Sequence, residues 1–327
     1  MQKRYSSFAI ITIILLVGVI SSVGAEEKGF PSSPITIVIE YPVGGGSDVA
    51  CRALANEMQR YLKQPVLVES RPGASGIIAG NYVAKARPDG YTISAFTSTA
   101  CDPDLYSHFR KANYSTQDLK PIARYLAFPY ALFSNKNAPW KNLDEFISYA
   151  KSNPNKVRWG HLGVGHQYNI LGVALSKGNK LEMIPVPFKG ASDVVVGVLG
   201  NHIDLGIGSL ASIRGHVQAG KLTILAIQHP QRVSFMPEIP TFKELGYDLG
   251  LAPYYAGLFA PKETPKEVIN KLHGAVKEAT ETPALKEFSK KAGFELYYGS
   301  AGELLSDMKK DREVIGALLK DIAKQEK

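Results

Sequence analysis

Hydrophobic positions along this chain fall into two alternating patterns. Short, β-branched runs are followed by stretches in which apolar residues recur every three or four positions. The first run, Ile35 to Glu40 (ITIVIE), predicts a strand, and Ala50, Leu54, Met58 and Tyr61 then mark one face of a helix. Val66 to Glu69 repeats the strand pattern, Ile77 to Ala86 the helical one, and Tyr91 to Phe96 gives a third strand after the turn RPDG. A strand buried on both faces followed by an amphipathic helix is the signature of a largely parallel sheet covered by helices.

The rhythm restarts beyond Trp140. Leu143, Phe146, Ile147 and Ala150 predict a helix, and strands follow at Val157 to Gly160, Ile184 to Phe188, Ile203 to Gly208 and Leu222 to Ile227. Helices over Tyr168 to Ser176, Asp193 to Leu199 and Leu210 to Ala219 separate them. Two apolar, proline-flanked segments, Tyr125 to Asn135 and Tyr254 to Pro261, lead into no helix and read as paired crossover strands between two α/β units. The chain then returns to the first unit. Thr264, Pro265 and Glu267 predict a capped helix start, and Ser300 with Glu303 predicts another before the last helix, on Leu304, Met308, Ile315, Leu318 and Ile322.

Composition fits a packed globular protein: 327 residues, 45% hydrophobic and 21% charged. The formal charge is +8, but Lys and Arg are scattered and no basic run is interleaved with aromatics, which argues against a nucleic-acid partner. Residues 1–25 stand apart from the fold. Lys3 and Arg4 precede an apolar run, Phe8 to Ile20, that is shorter than the roughly 20 residues a membrane span needs. Small residues then precede Glu26, so the segment reads as a secretory signal cleaved after Ala25, and the mature protein is expected in the periplasm. In an oxidising compartment the two cysteines, Cys51 and Cys101, are open to either a disulfide or a pair of free thiols.

In an open α/β sheet, ligands bind beyond the carboxyl ends of the strands, where loops enter helix N-termini. Six such loops occur here: Pro42 to Ser47, Arg71 to Gly76, Thr97 to Cys101, Gly160 to His166, Lys189 to Ser192 and Gly208 to Ser212. All are rich in glycine or hydroxyls. Gly44, Gly45 and Gly46 sit where a strand turns into a helix, so unpaired amides at the positive end of the helix dipole are bared to a guest oxygen. The loop lacks the Gly-Lys-Ser/Thr ending of a phosphate loop, and no G-x-G-x-x-G follows a strand, which makes a carboxylate the better guest. Asp48 either caps the loop or touches the ligand; Ser75 either forms the turn or donates its hydroxyl; Thr97, Ser98 and Thr99 either line the site or start a helix. His161 and His166 are hydrogen-bond donors or plain loop residues. They lack the further ligands of a zinc site, and the chain lacks the G-x-S-x-G elbow of a hydrolase.

Seven segments in order, YPVGGGSDVACR, PVLVESRPGASGIIAGNYVAKARPDGYT, AKSNPNKVRWGHLGVG, VPFKGASD, AGKLTILAI, IPTFKELGY and GLFAPKETPKEVINKL, resemble the periplasmic receptors of tripartite tricarboxylate transporters, the Bug-type receptors. The resemblance spans nearly the whole mature chain. It implies a two-domain type 2 periplasmic-binding-protein fold, each domain a mostly parallel sheet flanked by helices, joined by a two-strand hinge. Domain 1 would comprise residues 26–128 and 252–327, and domain 2 residues 129–251. By the same resemblance the protein is no enzyme, holds no cofactor or metal, is a monomer, and closes like a flytrap on a small organic anion. That anion would be a mono- or dicarboxylate, aromatic ones included, handed to a large and a small membrane subunit. A ligand-sensing receptor is the alternative, and an exported hydrolase a remote one.

Residue by residue, Val43, Gly44 and Gly45 and the turn Ala74, Ser75, Gly76 match the family's first carboxylate cradle. Gly163, Val164, Gly165 and His166 match the second-domain loop, and Lys189, Gly190 and Asp193 the segment after the next strand. Three positions depart from the pattern: His161 and His166 where Ser or Thr is usual, and Asp193 where a small residue is. Ser209 belongs to the expected pocket, and Tyr41, Tyr168 and Tyr254 either line it or take the place in the core that such residues more often have. The implied fold also brings the ends of neighbouring strands together and so favours a bridge between Cys51 and Cys101.

Overall fold

The computed structural model describes residues 29–107 and 111–325, so the signal-peptide reading of residues 1–25 lies outside the described residues. Two sheets dominate. The first contains β1 (Ile35–Ile39), β2 (Val66–Ser70), β3 (Thr92–Thr97), β4 (Leu119–Ala127), β10 (Tyr255–Pro261) and β11 (Glu295–Ser300), in the order β11-β4-β10-β3-β1-β2. The second contains β5 (Tyr130–Asn135), β6 (Arg158–His161), β7 (Ile184–Pro187), β8 (Leu205–Ser209) and β9 (Leu222–Gln228), in the order β7-β6-β8-β5-β9.

Alternation along β1 explains how the first sheet is covered. Ile35, Ile37 and Ile39 join Ala50, Leu54 and Met58 of α1 (Gly46–Leu62) on one face, while Val38 joins Phe96 and Phe259 on the other. With both faces dry, the strand has no polar side. β1 pairs in parallel with β2 and β3, Ile37 lying opposite Val68 and Ile93. The remaining pairs, β3 with β10, β10 with β4 and β4 with β11, are antiparallel. The second sheet divides in the same way, with β6 parallel to β7 and β8, and β5 antiparallel to β8 and β9. Both sheets are therefore mixed, because the strands that carry the chain between lobes insert against their neighbours.

The crossovers fall at the expected segments. β4 runs through Phe128 and Pro129 directly into β5, and the returning chain passes beside it, with the Phe128 amide donating to the Tyr254 carbonyl at 2.7 Å. Helices α2 (Ile77–Ala84), α3 (Leu143–Ser152), α4 (Gln167–Asn179), α5 (Ala191–Leu199) and α6 (Leu210–Gln218) cover the sheets as the periodicity predicts. After α7 (Lys266–Glu281) come two elements the pattern did not single out, α8 (Pro283–Ala292) and β11.

The last helix, α9 (Ala301–Gln325), begins with the predicted capping box, in which the Ser300 amide donates to Glu303 and the Glu303 amide donates back to the Ser300 hydroxyl. Its first half, through Leu304 and Met308, packs on the first sheet. Its second half, through Ile315, Leu318 and Leu319, packs with Trp159, Leu171 and Leu175 of the second unit. α9 is thus a third tie between the sheets. Among the described residues no helix is long and apolar enough to cross a membrane.

Two expectations need correction. Thr264 does not cap α7: its hydroxyl donates back to the Pro261 carbonyl, and Pro265 occupies the cap position without a side-chain bond. Cys51 and Cys101 are separate buried thiols. Cys51 rides on α1 against Ile37 and Ile39, whereas Cys101 packs with Val38 and Phe96, so the sheet lies between them. Ending at the same sheet edge did not place them on the same face.

Candidate functional site

The first wall of the site begins where β1 ends. Glu40 turns inward, and its carboxylate accepts from both the amide and the hydroxyl of Thr97, at 2.8 and 2.7 Å, tying the ends of β1 and β3 together. Burial pushes the Glu40 carboxyl above its ordinary value, offset only in part by Thr97. Tyr41 follows, its hydroxyl 2.9 Å from that of Tyr254 on the second crossover. The chain then turns through Gly44, whose φ of +84° suits glycine, and α1 starts at Gly46.

The N-cap residue, Gly45, has no side chain to close the helix. The leading amides of α1, those of Gly46 and Ser47, therefore lack both intrahelical carbonyls and a cap. The Gly44 amide, in contrast, is already engaged. It donates to Asp48 Oδ2 at 2.9 Å, and Asp48 also accepts from Arg52 Nε at 2.8 Å. Burial alone would raise the Asp48 carboxyl, but the hydrogen bonds from Arg52 and Gly44 and the charge of Arg52 outweigh it and hold it below its ordinary value.

The second lobe repeats the arrangement with neutral groups. The Gly165 amide donates to Asn169 Oδ1 at 3.2 Å, four residues on, as Gly44 does to Asp48. His161 accepts from the Gly163 amide at 3.1 Å, buried against the Trp159 ring. His166 caps α4, its Nδ1 accepting from the Tyr168 amide at 3.2 Å. Ser209 caps α6 through the Ser212 amide at 3.4 Å.

Between the lobes lies a cavity of about 550 Å³. Gly44 to Ser47 form one wall, His166, Tyr168 and Ser209 the opposite one, and Phe128, Tyr254 and Phe294 the floor and sides. A smaller compartment of about 330 Å³ adjoins it, lined by Ser75, Thr99, Tyr106, Leu162 and Val164, and it shares Tyr41 and His166 with the first. Neither wall carries a Lys or Arg among the described residues. Burial, with His161 nearby, lowers His166 to about 4, and burial raises Tyr168 to about 12, so both are neutral near pH 7. The cleft offers amides, hydroxyls and one neutral imidazole. Among the described residues no three His, Cys, Asp or Glu side chains are grouped to hold a metal ion.

Of the residues singled out from sequence, Tyr41, Gly44, Gly45, Gly46, Ser75, Thr99, Val164, Gly165, His166, Tyr168, Ser209 and Tyr254 line these two compartments. The others stand apart, each for a visible reason. Val43 points to solvent, 70% exposed at the loop tip. Asp48 braces Gly44, and Thr97 is spent on Glu40. Ser98 accepts from Gln167 Nε2 at 3.0 Å, a bond between lobes. Ala74 and Gly76 shape the turn around Ser75, three successive residues with positive φ, and Gly76 backs so closely on Ala100 and Glu40 that an added Cβ would lie 2.7 Å from the former. Gly163 and His161 satisfy each other. Asp193 is exposed on the first turn of α5 and lines neither compartment.

Sequence reasoning missed Phe128, Ala211, Gly293 and Phe294, which close the larger compartment. Gly293 was findable as a helix stop, since it follows α8 with φ +81°. Its approach to Ala211 was not, because that contact joins residues of different lobes.

Two α/β lobes facing across a cleft of helix N-termini and neutral donors define a solute-binding receptor of the periplasmic-binding-protein class. Residues 50–323 match the family described as Tripartite tricarboxylate transporter family receptor. The chain is 31% identical over 300 residues to a UPF0065 protein of Cupriavidus necator, covering 90% of each, and 32% identical over 277 residues to protein BugT of Bordetella pertussis, covering 84% of each. Its fold is similar to that of a TctC solute binding protein from Polaromonas, with TM-score 0.79, 28% identity, and coverage of 89% of this chain and 99% of that one. MatC from Rhodopseudomonas palustris, solved with bound malate, gives TM-score 0.66 at 25% identity, covering 90% and 98%. The chain belongs to the tripartite tricarboxylate transporter receptor family, whose fold is that of receptors and not of enzymes.

Proposed function

We propose that this protein captures a small organic carboxylate in the interlobe cleft and hands it to the large and small membrane subunits of a tripartite tricarboxylate-type transporter. The observation that carries the reading is the uncapped N-terminus of α1, whose Gly46 and Ser47 face the larger compartment. Amides at a helix start favour an anion by geometry and by the helix dipole, and they leave its covalent bonds intact. Malate in the related MatC supports a carboxylate as the guest.

The lobes, residues 26–128 with 252–327 and residues 129–251, would move about the paired crossovers, the receptor working as a monomer in the periplasm after cleavage at Ala25. Closure would bring the neutral donors of the second lobe onto a ligand already seated on α1. A thermal-shift and calorimetric screen of mono- and dicarboxylates against the purified protein, with native mass spectrometry for any acid carried through purification, tests this. One organic acid should bind with a stoichiometry of one. A screen in which no carboxylate binds would refute the reading.

A further inference from the structure

The larger compartment is entered by three helix N-termini, and they are not equivalent. α4 is capped by His166 and α6 by Ser209, whereas α1 has no side-chain cap. One helix end is open to an anion. The two compartments meet at Tyr41 and His166, beside the Tyr41–Tyr254 hydroxyl pair.

We infer that His166 sets the ligand specificity of this receptor, its Nε2–H donating one neutral hydrogen bond to an uncharged oxygen of an aromatic monocarboxylate whose carboxylate sits on α1; the inference rests on the carboxylate reading above. Nδ1 is committed as the acceptor for the Tyr168 amide, so the hydrogen of the neutral ring resides on Nε2. Nε2 has no protein partner among the described residues. The ring is held edge-on to Tyr168, with centroids 4.6 Å apart, and 6.4 Å from Tyr254, so its free edge has a fixed place at the junction.

The imidazole cannot acquire charge cheaply. A proton on Nδ1 would expel the Tyr168 amide from the cap, and the groups around the ring, His161 from β6, Tyr168 on α4, Tyr41 after β1 and Tyr254 on the crossover, include no carboxylate to stabilise an imidazolium. Glu40, behind Tyr41, is itself buried and bound to Thr97. A second carboxylate at this junction would meet neutral donors only and no cation. An ether, carbonyl or hydroxyl oxygen asks for no more than that. The rings of Phe128, Tyr168, Tyr254 and Phe294 around the compartment suit an aromatic body between the two polar ends.

Three acids on one benzene ring test the inference: 4-methylbenzoate, 4-methoxybenzoate and terephthalate, titrated calorimetrically into the purified protein. The methoxy acid should bind roughly three- to tenfold more tightly than the methyl acid, the worth of one neutral hydrogen bond, and at least about tenfold more tightly than terephthalate. The preference for methoxy over methyl should be constant from pH 8 to pH 5.5, where the imidazole does not change charge. His166→Ser keeps a helix cap but withdraws the donor from the junction, and it should shrink the preference to within about twofold. A merely structural histidine would weaken both acids alike and leave their ratio intact, which would overturn the assignment. Terephthalate binding tightest would also overturn it. So would three silent titrations with the carboxylate screen finding an aliphatic acid, which leaves the receptor reading standing; silence across the whole screen removes both.

Discussion

Gly293 ends α8 in the left-handed region, at φ +81°, and lies against the start of α6 in the other lobe. A Cβ built there would stand 2.9 Å from Ala211 Cβ and 3.1 Å from its Cα. Gly293→Ala therefore carries two costs. The left-handed conformation of a non-glycine residue costs about 1 kcal/mol, and the contact must be relieved by moving backbone on one side or the other, an overpacking cost of about 1–3 kcal/mol. The cheapest relief is a slight separation of the lobes, which weakens whatever closed state the ligand stabilises.

Gly220, just past α6, supplies the control. It has φ +67°, and an added Cβ there meets nothing within 4 Å. Gly220→Ala should lower the melting temperature by about 2–4 °C and leave affinity for the acid found in the screen unchanged. Gly293→Ala should lose similar stability without ligand and bind about tenfold more weakly, equivalent to about 1.4 kcal/mol. Scattering from the ligand-saturated variant should show a larger radius of gyration than the wild type. Equal affinities for the two variants would refute the claim that lobe approach at this point is part of binding.

Other consequences can be measured separately. Asp48→Ala removes the acceptor that holds Gly44; because Arg52 is half exposed, the ion pair counts for little, and the expected losses are about 1–2 kcal/mol by urea denaturation and several-fold in affinity, with Asp48→Asn intermediate. The Asp48 contribution is intact above about pH 4 and fades as pH falls through its lowered native value, so the gap between wild type and Asp48→Ala should narrow in acid. Burial, with Asp307 and Asp102 nearby, raises Asp311 to about 8, although the Tyr255 hydroxyl opposes the shift. Its unfolded form ionises near pH 4, so the native state loses stability as pH rises from there to about 8; Asp311→Asn should match the wild type at pH 4 and melt higher at pH 8, and a constant difference would contradict the assignment. The two thiols should react with dithionitrobenzoate only after unfolding, both of them and without prior reduction. A single reducible bridge would show the sheet does not separate them.

The legibility of this fold followed its physics. Strands buried on both faces, such as Ile35–Ile39, announce themselves as β-branched runs, and the glycine loop before α1 could be read as a bared helix start from composition alone. α8 and β11 were harder. α8 buries little beyond Leu285 and Ser289, and β11 is a half-buried edge strand, so neither shows a clean period. At the site, five of the six predicted loops reach the two compartments and Lys189 to Ser192 does not, and sequence could not say which polar groups spend themselves inside the protein. Thr97, Ser98, Asp48 and His161 have the chemistry of ligand donors or acceptors, yet each is occupied by a partner from 2 to 69 residues away. Asp193 has suitable chemistry too, but it starts a helix whose first turn faces solvent. Phe128, Ala211, Gly293 and Phe294 form a wall only when two lobes meet, a relation no local pattern encodes.

In the proposed mode of capture, the uncapped amides of α1 grip the ligand's carboxylate. Amide proton and nitrogen shifts of Gly46 and Ser47, followed by NMR while the acid from the screen is titrated in, report on it directly. Both amide protons should move strongly downfield and saturate with the calorimetric affinity, while Gly44, already bonded to Asp48, shifts little. Saturable binding that leaves Gly46 and Ser47 unmoved would contradict the account.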